Sequence, residues 1–234
     1  MELSRKIFQI AILLALIGAM FVPASASALD VYAEGAYTDS DLVVYIYADI
    51  DTNVVSFGVK LSYDNTKLAV TSAQKNEAVW YMGDGNNNYA YADPEVGTSG
   101  VVIIGGKLDI NDPTAGVVGN RVLLGTVTFS RKDANDPYSD PSGPESYFGI
   151  GIELGKPDPY INFASTAGDP MDSSVGFSAK IRQRGDANGD GMFTNLDFFA
   201  VKNMMDNNQY SVIADCNRDH VLTNLDFFCI KDKI

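Results

Sequence analysis

The sequence predicts a mainly β protein, in which a jelly-roll β-sandwich is followed by a small α-helical module built from two loop–helix repeats. Two observations support this fold class. Residues 29–181 contain many short segments rich in β-branched and aromatic residues, separated by turn sequences, and no long segment with helical periodicity. Residues 185–234 contain the hexapeptide TNLDFF twice, and such internal repetition marks a duplicated structural unit.

The first 28 residues have the features of an export signal. Two basic residues precede the apolar run 7–22, and the sequence ASASA that follows offers an A-x-A cleavage site. We therefore expect 1–28 to be a signal peptide, the mature chain to begin near Leu29, and the protein to be secreted. An uncleaved membrane anchor is the alternative, but the apolar run is shorter than the roughly 20 residues that a bilayer requires.

The composition is strongly acidic, with 30 acidic and 17 basic residues and a net charge of −13. Nucleic acids and anionic membranes are bound by basic surfaces, so we expect neither a nucleic-acid partner nor a membrane partner after cleavage of the signal. An acidic chain is suited to binding divalent cations.

The predicted strands of the sandwich follow one another at short intervals. In the segment VVSFGVKLSY, apolar residues alternate with small or polar ones, which places Val55, Phe57, Val59 and Leu61 on one buried face. A Pro-rich stretch at 133–145 is predicted to be a surface loop. The predicted strands are 42–50, 54–63, 67–72, 77–82, 87–92, 100–106, 121–130, 147–154, 160–164 and 174–181.

The linker between the two parts is only the four residues RQRG at 182–185. It lacks the Pro/Thr or Gly/Ser composition of a flexible tether. We therefore expect the sandwich at 29–181 and the module at 185–234 to have a restricted relative geometry.

The first repeat, 186–206, begins with the loop DANGDGMFTNLD, which has the ligand spacing of an EF-hand. Oxygen ligands occupy positions 1, 3, 5, 7, 9 and 12, and Gly191 stands at position 6, where the loop turns sharply. Position 12 is Asp instead of the usual Glu, and no helix is predicted before the loop. The expected calcium ligands are Asp186, Asn188, Asp190, the carbonyl of Met192, Thr194 and Asp197.

The second repeat, 215–234, begins with DCNRDHVLTNLD and keeps the same spacing. Its expected ligands are Asp215, Asn217, Asp219, the carbonyl of Val221, Thr223 and Asp226. At position 6, His220 replaces glycine, although this position usually requires a positive φ. The resulting strain is about 1 kcal/mol, or roughly fivefold in affinity, so the sequence predicts two Ca²⁺ sites of which the second is weaker.

Helices are predicted after each loop, and the first is expected to span 196–206 with Phe198, Val201 and Met205 on its apolar stripe. The two cysteines, Cys216 and Cys229, lie in the second repeat, where the first repeat has alanines. Since export favours oxidation, a disulfide is one hypothesis. Two buried thiols that only pack are the alternative.

The tandem loop–helix repeats resemble dockerin modules of the type I pattern over all of residues 185–234. This resemblance implies one calcium per repeat and a module that folds when it binds calcium. It also implies that the contacts with a cohesin partner lie at loop positions 10 and 11 and on the following helix, at Asn195, Leu196, Lys202, Asn224, Leu225 and Lys231. Many type I dockerins carry Ser/Thr pairs at these positions, whereas this chain has the same Asn/Leu pair twice. The repetition implies a near-twofold surface that could bind a cohesin in two orientations.

The preceding sandwich resembles cohesins, which are the jelly-roll receptor modules of cellulosome scaffoldins. The resemblance lies in VSFGVKLSYDNTKLAV, in the long segment GVVIIGGKLDINDPTAGVVGNRVLLGTVTFSRK, and in the closing SVGFSAKI. It covers most of residues 29–181 and implies a surface that receives a dockerin-bearing partner.

Three functions follow from these features. The first is a non-catalytic, exported adaptor that links a cohesin and a dockerin-bearing protein in a polysaccharide-degrading assembly. The second is a carbohydrate-binding sandwich carried by a dockerin, because Trp80, Tyr81, Tyr89 and Tyr91 could stack on sugar rings. The third is a glycoside hydrolase, although no pair of carboxylates stands out as catalytic. We expect no enzymatic activity.

Overall fold

The computed structural model describes residues 29–81, 94–98, 100–107, 116–132, 143–154, 163–171, 173–175 and 179–234. The predicted signal peptide, the predicted strand 87–92 and residues 133–142 of the predicted loop lie outside these ranges. Within them, no helix is long and apolar enough to cross a membrane.

The described residues form ten strands and three helices. The strands are β1 (Leu29–Tyr37), β2 (Asp41–Ser62), β3 (Leu68–Lys75), β4 (Glu95–Val96), β5 (Gly100–Gly106), β6 (Val117–Arg131), β7 (Gly151–Leu154), β8 (Phe163–Ser165), β9 (Ser173–Val175) and β10 (Lys180–Gln183). The helices are α1 (Pro144–Phe148), α2 (Asn195–Asp206) and α3 (Asn224–Lys231). The chain is mainly β, as predicted.

Strand β2 organises the sandwich because its two halves belong to different layers. Its first half pairs antiparallel with β1 and β6, and β9, β10 and β3 extend this layer, which we call sheet one. Its second half pairs with β5, β7 and β8, and β4 adds to β5, which gives sheet two. This arrangement is that of a jelly-roll β-sandwich. The two strands predicted at 42–50 and 54–63 are therefore one continuous strand.

The core lies between the two layers and is filled from both halves of β2. Leu42, Val44 and Ile46 from the first half, and Phe57, Val59 and Leu61 from the second, belong to one fully buried cluster. The alternation predicted for the second half is confirmed except at its start. A register shift between Val54 and Ser56 turns Val54 into the core instead of Val55.

One predicted strand is wrong in the structure, and a second is confirmed only in its last four residues. In the segment EAVWYM, residues 77–79 form a turn, and Trp80 points into the core, where its ring lies 4.8 Å from Phe57 and its indole N–H donates to the carbonyl of Leu123. The segment YFGIGIEL is divided by the end of helix α1, where Gly149 adopts a φ of 63° before β7 begins. Periodicity alone does not detect such short interruptions.

The C-terminal module consists of two loops, the helices α2 and α3, and a small apolar core between them. Val201 and Ile230 are fully buried there, and the rings of Phe198 and Phe227 lie 5.9 Å apart. Val201 thus occupies the predicted apolar stripe, whereas Phe198 and Met205 are only half-buried.

Candidate functional site

The first loop is closed around the buried carboxylate of Asp186. One oxygen of this carboxylate accepts hydrogen bonds from the amides of Gly189 and Asp190, at 2.9 and 3.1 Å, and the other accepts one from the amide of Gly191, at 3.1 Å. Asn188 donates to Asp190 through its side-chain amide at 2.8 Å. These bonds bring the side chains at positions 1, 3 and 5 to one side of the loop.

Asp197, at the twelfth position of the first loop, joins the loop to helix α2. Its carboxylate accepts from the amides of Asn188, at 3.1 Å, and Thr194, at 2.9 Å. The hydroxyl of Thr194 in turn accepts from the amide of Leu196, at 3.1 Å, which forms a capping box at the start of the helix. The same residues therefore close the loop and begin the helix.

The second loop repeats this arrangement. The carboxylate of Asp215 accepts from the amides of Arg218, at 2.8 Å, and His220, at 3.1 Å. Asp226 accepts from the amides of Cys216 and Thr223, at 2.9 and 2.8 Å, and Thr223 caps helix α3. The predicted positive φ at position 6 is present, since His220 has a φ of 64°.

The four carboxylates at positions 1 and 12 of the two loops are buried, and none of them forms an ion pair in the described part of the chain. Burial is the main cause that raises the pKa of Asp186 and of Asp226, and neighbouring carboxylates raise both further. Buried, unpaired anions of this kind favour a cation.

The described residues of the two loops do not form a metal site made only of carboxylates. Among the described residues, no group of three or more His, Cys, Asp or Glu side chains is arranged to hold a metal ion. The predicted ligand sets instead mix carboxylates with Asn and Thr oxygens and one backbone carbonyl. Met192 and Val221, whose carbonyls are the predicted ligands at position 7, have exposed side chains. This oxygen set fits a hard cation such as Ca²⁺.

A pH titration in chelator tests the burial of these carboxylates. A raised folded-state pKa means that the folded module holds protons more tightly than the unfolded chain, so the stabilisation is present at low pH and is lost as the pH rises through the folded pKa. The cation-free module should therefore become more stable as the pH falls from 7 towards about 4. With excess calcium the trend should reverse, since protons compete with the cation. Helix content at a fixed temperature, followed against pH by far-UV circular dichroism, would measure both trends: it should rise at low pH without the cation and fall at low pH with calcium, and equal slopes would contradict the expectation.

A disulfide joins Cys216 to Cys229, with 5.8 Å between their Cα atoms. It connects the start of the second loop to helix α3. In the first repeat, the equivalent Ala187 and Ala200 lie in the same small core. The bond therefore adds a covalent link to the second repeat that the first repeat lacks.

Replacement of both cysteines by alanine recreates the pair found in the first repeat and tests the contribution of the disulfide. We expect the C216A/C229A variant to lose up to about 3 kcal/mol of module stability, since the bond closes a loop of 13 residues in the unfolded chain. Denaturant unfolding would measure the loss, with a reduced wild-type sample as the control. Alkylation without reductant should label no thiol, and two labelled thiols would show that the bond does not form.

Each repeat exposes an apolar face beside its loop. Leu196 and Phe199 are 56% and 69% exposed, and Leu225 and Phe228 are 57% and 63% exposed. The predicted contact residues Asn195 and Asn224 are exposed next to them. We call these two surfaces the repeat-one face and the repeat-two face. Their close similarity in exposure agrees with a duplicated surface.

The sequence analysis missed Phe199 and Phe228 as members of these faces. The signal was available, because Leu196 and Phe199 are separated by three residues and therefore lie on the same side of a helix. The predicted Lys202 and Lys231 are also exposed, but Lys202 forms an ion pair with Asp206 at 2.7 Å. The ammonium group of Lys202 is thus paired with a carboxylate of the same helix.

The segment between the repeats packs on the outer surface of sheet one. Val212 and Ile213 form an apolar cluster with Tyr32, Tyr45 and Tyr47 of strands β1 and β2. The amide of Gly185 donates to the carbonyl of Ile213 at 2.7 Å, so the linker is part of the same structure. We call this contact the docking interface.

Two arginines hold the docking interface together. Arg121 of β6 makes a bidentate ion pair with Glu34, at 3.0 and 3.1 Å, and donates to the carbonyl of Tyr210 at 2.9 Å. Arg184 is buried, and it donates to the carbonyls of Val212 and Asp215 at 3.2 and 2.7 Å. Burial is the largest cause that lowers the pKa of Arg184. These contacts give the short linker a defined geometry.

Trp80 does not take part in the aromatic cluster predicted for sugar binding. Trp80 is fully buried in the core, so its ring faces are not available to a ligand. Tyr81 is 40% exposed, while Tyr89 and Tyr91 lie outside the described residues. The packing alternative therefore holds for Trp80.

No protein-family model matches the sequence, and no curated protein matches it. Among solved structures, the chain is similar to cohesin domains. A cohesin of Clostridium acetobutylicum in solution matches with a TM-score of 0.46 and 15% identity, over 69% of this chain and 94% of that one. The sixth cohesin of scaffoldin B from Acetivibrio cellulolyticus was solved with a dockerin. It matches with a TM-score of 0.44 and 14% identity, over 68% of this chain and 100% of that one. A non-cellulosomal cohesin from Archaeoglobus fulgidus matches with a TM-score of 0.35 and 17% identity, over 65% of this chain and 89% of that one. Likenesses of this degree do not assign a function.

Proposed function

We propose that this chain is a secreted, non-catalytic adaptor with two connectors. Its C-terminal module, 185–234, docks onto a cohesin in the presence of calcium, as a dockerin does. Its sandwich receives a dockerin-bearing protein. The assembly that it joins degrades polysaccharides.

The observation that carries this proposal is the pair of exposed apolar faces on two matching loop–helix units. Four large apolar side chains, Leu196, Phe199, Leu225 and Phe228, stand in water on a module of about 50 residues. Exposed apolar side chains that cluster in this way mark sites of protein contact. Because each face begins at the capping box of its loop, cation binding at the loop would fix the position of the face.

The docking interface leaves both connectors accessible. The hydrogen bonds and ion pairs between the module and the sandwich, in the described part of the chain, go to strands β2 and β6 and to the linker. They therefore involve sheet one and spare the repeat-one and repeat-two faces. The outer surface of sheet two, with Lys60 paired to Glu153 at 3.2 Å, is the candidate receptor surface for a dockerin-bearing partner.

Surface plasmon resonance with the full chain tests the two connectors separately. Immobilised cohesins from the same genome should capture the chain in calcium and release it in chelator. A variant with alanine at all four face positions should lose cohesin binding but still capture a dockerin-bearing protein through its sandwich. Failure to bind every cohesin and every dockerin tested would contradict the adaptor function. Retention on insoluble polysaccharide without either partner would favour the carbohydrate-binding alternative.

A further inference from the structure

The two loops differ at the two positions where the backbone is left-handed. In the first loop these are glycines, Gly189 with a φ of 76° and Gly191 with a φ of 82°. In the second loop they are Arg218 with a φ of 67° and His220 with a φ of 64°. Side chains are disfavoured in this conformation, whereas glycine adopts it without cost. The second loop therefore carries strain at two positions that the first loop avoids.

Both of these side chains contact the sandwich. Arg218 makes an ion pair with Asp41 of β2, with N–O distances of 2.6 and 3.3 Å. The Nδ1 atom of His220 is hydrogen-bonded to the hydroxyl of Tyr45, also in β2, at 3.1 Å. The replacement of two glycines by longer residues thus creates two links to sheet one.

The same two residues hold the first ligand of the second loop. Their amides donate to the carboxylate of Asp215, as described above. The hydroxyl of Tyr210 donates to this carboxylate as well, at 2.8 Å, and the carbonyl of Tyr210 is bound by Arg121. Asp215 is therefore connected to the sandwich from two directions.

The first loop lacks connections of this kind. In the described part of the chain, the carboxylate of Asp186 accepts hydrogen bonds only from amides of its own loop. No hydrogen bond or ion pair of its side chains to strands β1 to β9 is seen among the described residues. The two loops therefore provide a comparison within one molecule.

We infer that the second loop is an interdomain anchor, and that cation binding there is coupled to docking of the module on sheet one. This inference rests on the proposed calcium binding. Docking holds the closed loop through Arg218 and His220, and the cation holds the same closed loop through Asp215. Coupling of this kind is reciprocal, so each event strengthens the other. Docking on the sandwich thereby offsets the backbone strain in the second loop, on which the prediction of a weaker second site is based.

Calcium is titrated into the full chain, and the NMR amide signals of Gly191 and His220 report calcium binding at the first and the second loop separately. Y45F removes the hydrogen bond to His220, D41N removes the negative charge that pairs with Arg218, and both keep the size of the side chain. Each should weaken binding at the second loop roughly threefold to tenfold and leave the first loop unchanged. K60Q, which breaks the ion pair with Glu153 on the opposite sheet, is the matched control and should change neither loop.

A double-mutant cycle identifies the path of the coupling. In an H220G background, Y45F should have a smaller effect on the second loop, since its bond to His220 is already absent and only its contact with Tyr210 remains to be lost. Unchanged emission of the buried Trp80 would show that the sandwich of each variant is folded. Two calcium sites that are both insensitive to Y45F and D41N would overturn the coupling alone. Absence of calcium binding at both loops would overturn the coupling together with the calcium-dependent part of the proposed function.

Discussion

Removal of calcium is expected to unfold the C-terminal module while the sandwich stays folded. A site filled at 100 times its dissociation constant adds about 2.7 kcal/mol, so two sites add about 5 kcal/mol. This is a large part of the roughly 5–15 kcal/mol that stabilises a small domain. Without the cation, the module also keeps buried carboxylates whose pKa is raised by burial, at Asp186 and Asp226. Because the apolar core of the module is small, its hydrophobic burial offsets little of the cost of burying these carboxylates.

Two signals separate the two parts of the chain in this experiment. Far-UV circular dichroism should lose helical signal in chelator, because α2 and α3 are the two longest described helices. Fluorescence of Trp80, the only tryptophan, should stay unchanged because it reports the core of the sandwich. Full helical signal in chelator would contradict the expectation.

The order of unfolding within the module is also expected to be unequal. The second repeat has the Cys216–Cys229 bond and the links from Arg218 and His220 to the sandwich, and the first repeat has neither. Hydrogen exchange should therefore rise in α2 before α3 as calcium is withdrawn. Simultaneous exchange of both helices in chelator would show that these links do not stabilise the second repeat.

The strands that were predicted correctly depend on local patterns. Phe57, Val59 and Leu61 alternate along β2, and this period of two residues assigns them to the core without knowledge of their partners. The capping boxes at Thr194 and Thr223 were not predicted, although they are equally local, since each involves a residue and its third neighbour. Such features are encoded within a few consecutive residues.

The features that could not be predicted depend on contacts between distant residues. Trp80 reads as part of an alternating strand, but its position is decided by Phe57 and Leu123, which are far away in sequence. His220 reads as a strained residue in a glycine position, and only the structure places Tyr45 beside it. A local departure from a motif, such as His220 in place of glycine, can thus create a contact with a distant part of the fold.

The largest effect on partner binding is expected when both apolar faces are removed together. In the L196A/F199A variant, the repeat-two face remains, so a cohesin can still bind in the other orientation. Affinity should then fall only about twofold, which is the statistical effect of losing one of two equal orientations. L225A/F228A should behave in the same way. The variant with all four substitutions should bind more than a hundredfold more weakly, since each orientation then loses two anchors and truncation of a hot-spot residue costs about 2 kcal/mol or more.

Calorimetry of the four-residue variant requires a control for folding and for calcium binding. Q209A changes an exposed residue of the module outside both faces and should leave affinity unchanged. Calcium affinity should be equal in all variants, because the substituted side chains are not loop ligands. If one two-residue variant alone abolishes binding, then a single face carries the interaction and the second orientation does not occur. If the four-residue variant still binds with normal affinity, the partner contacts a different surface of the module.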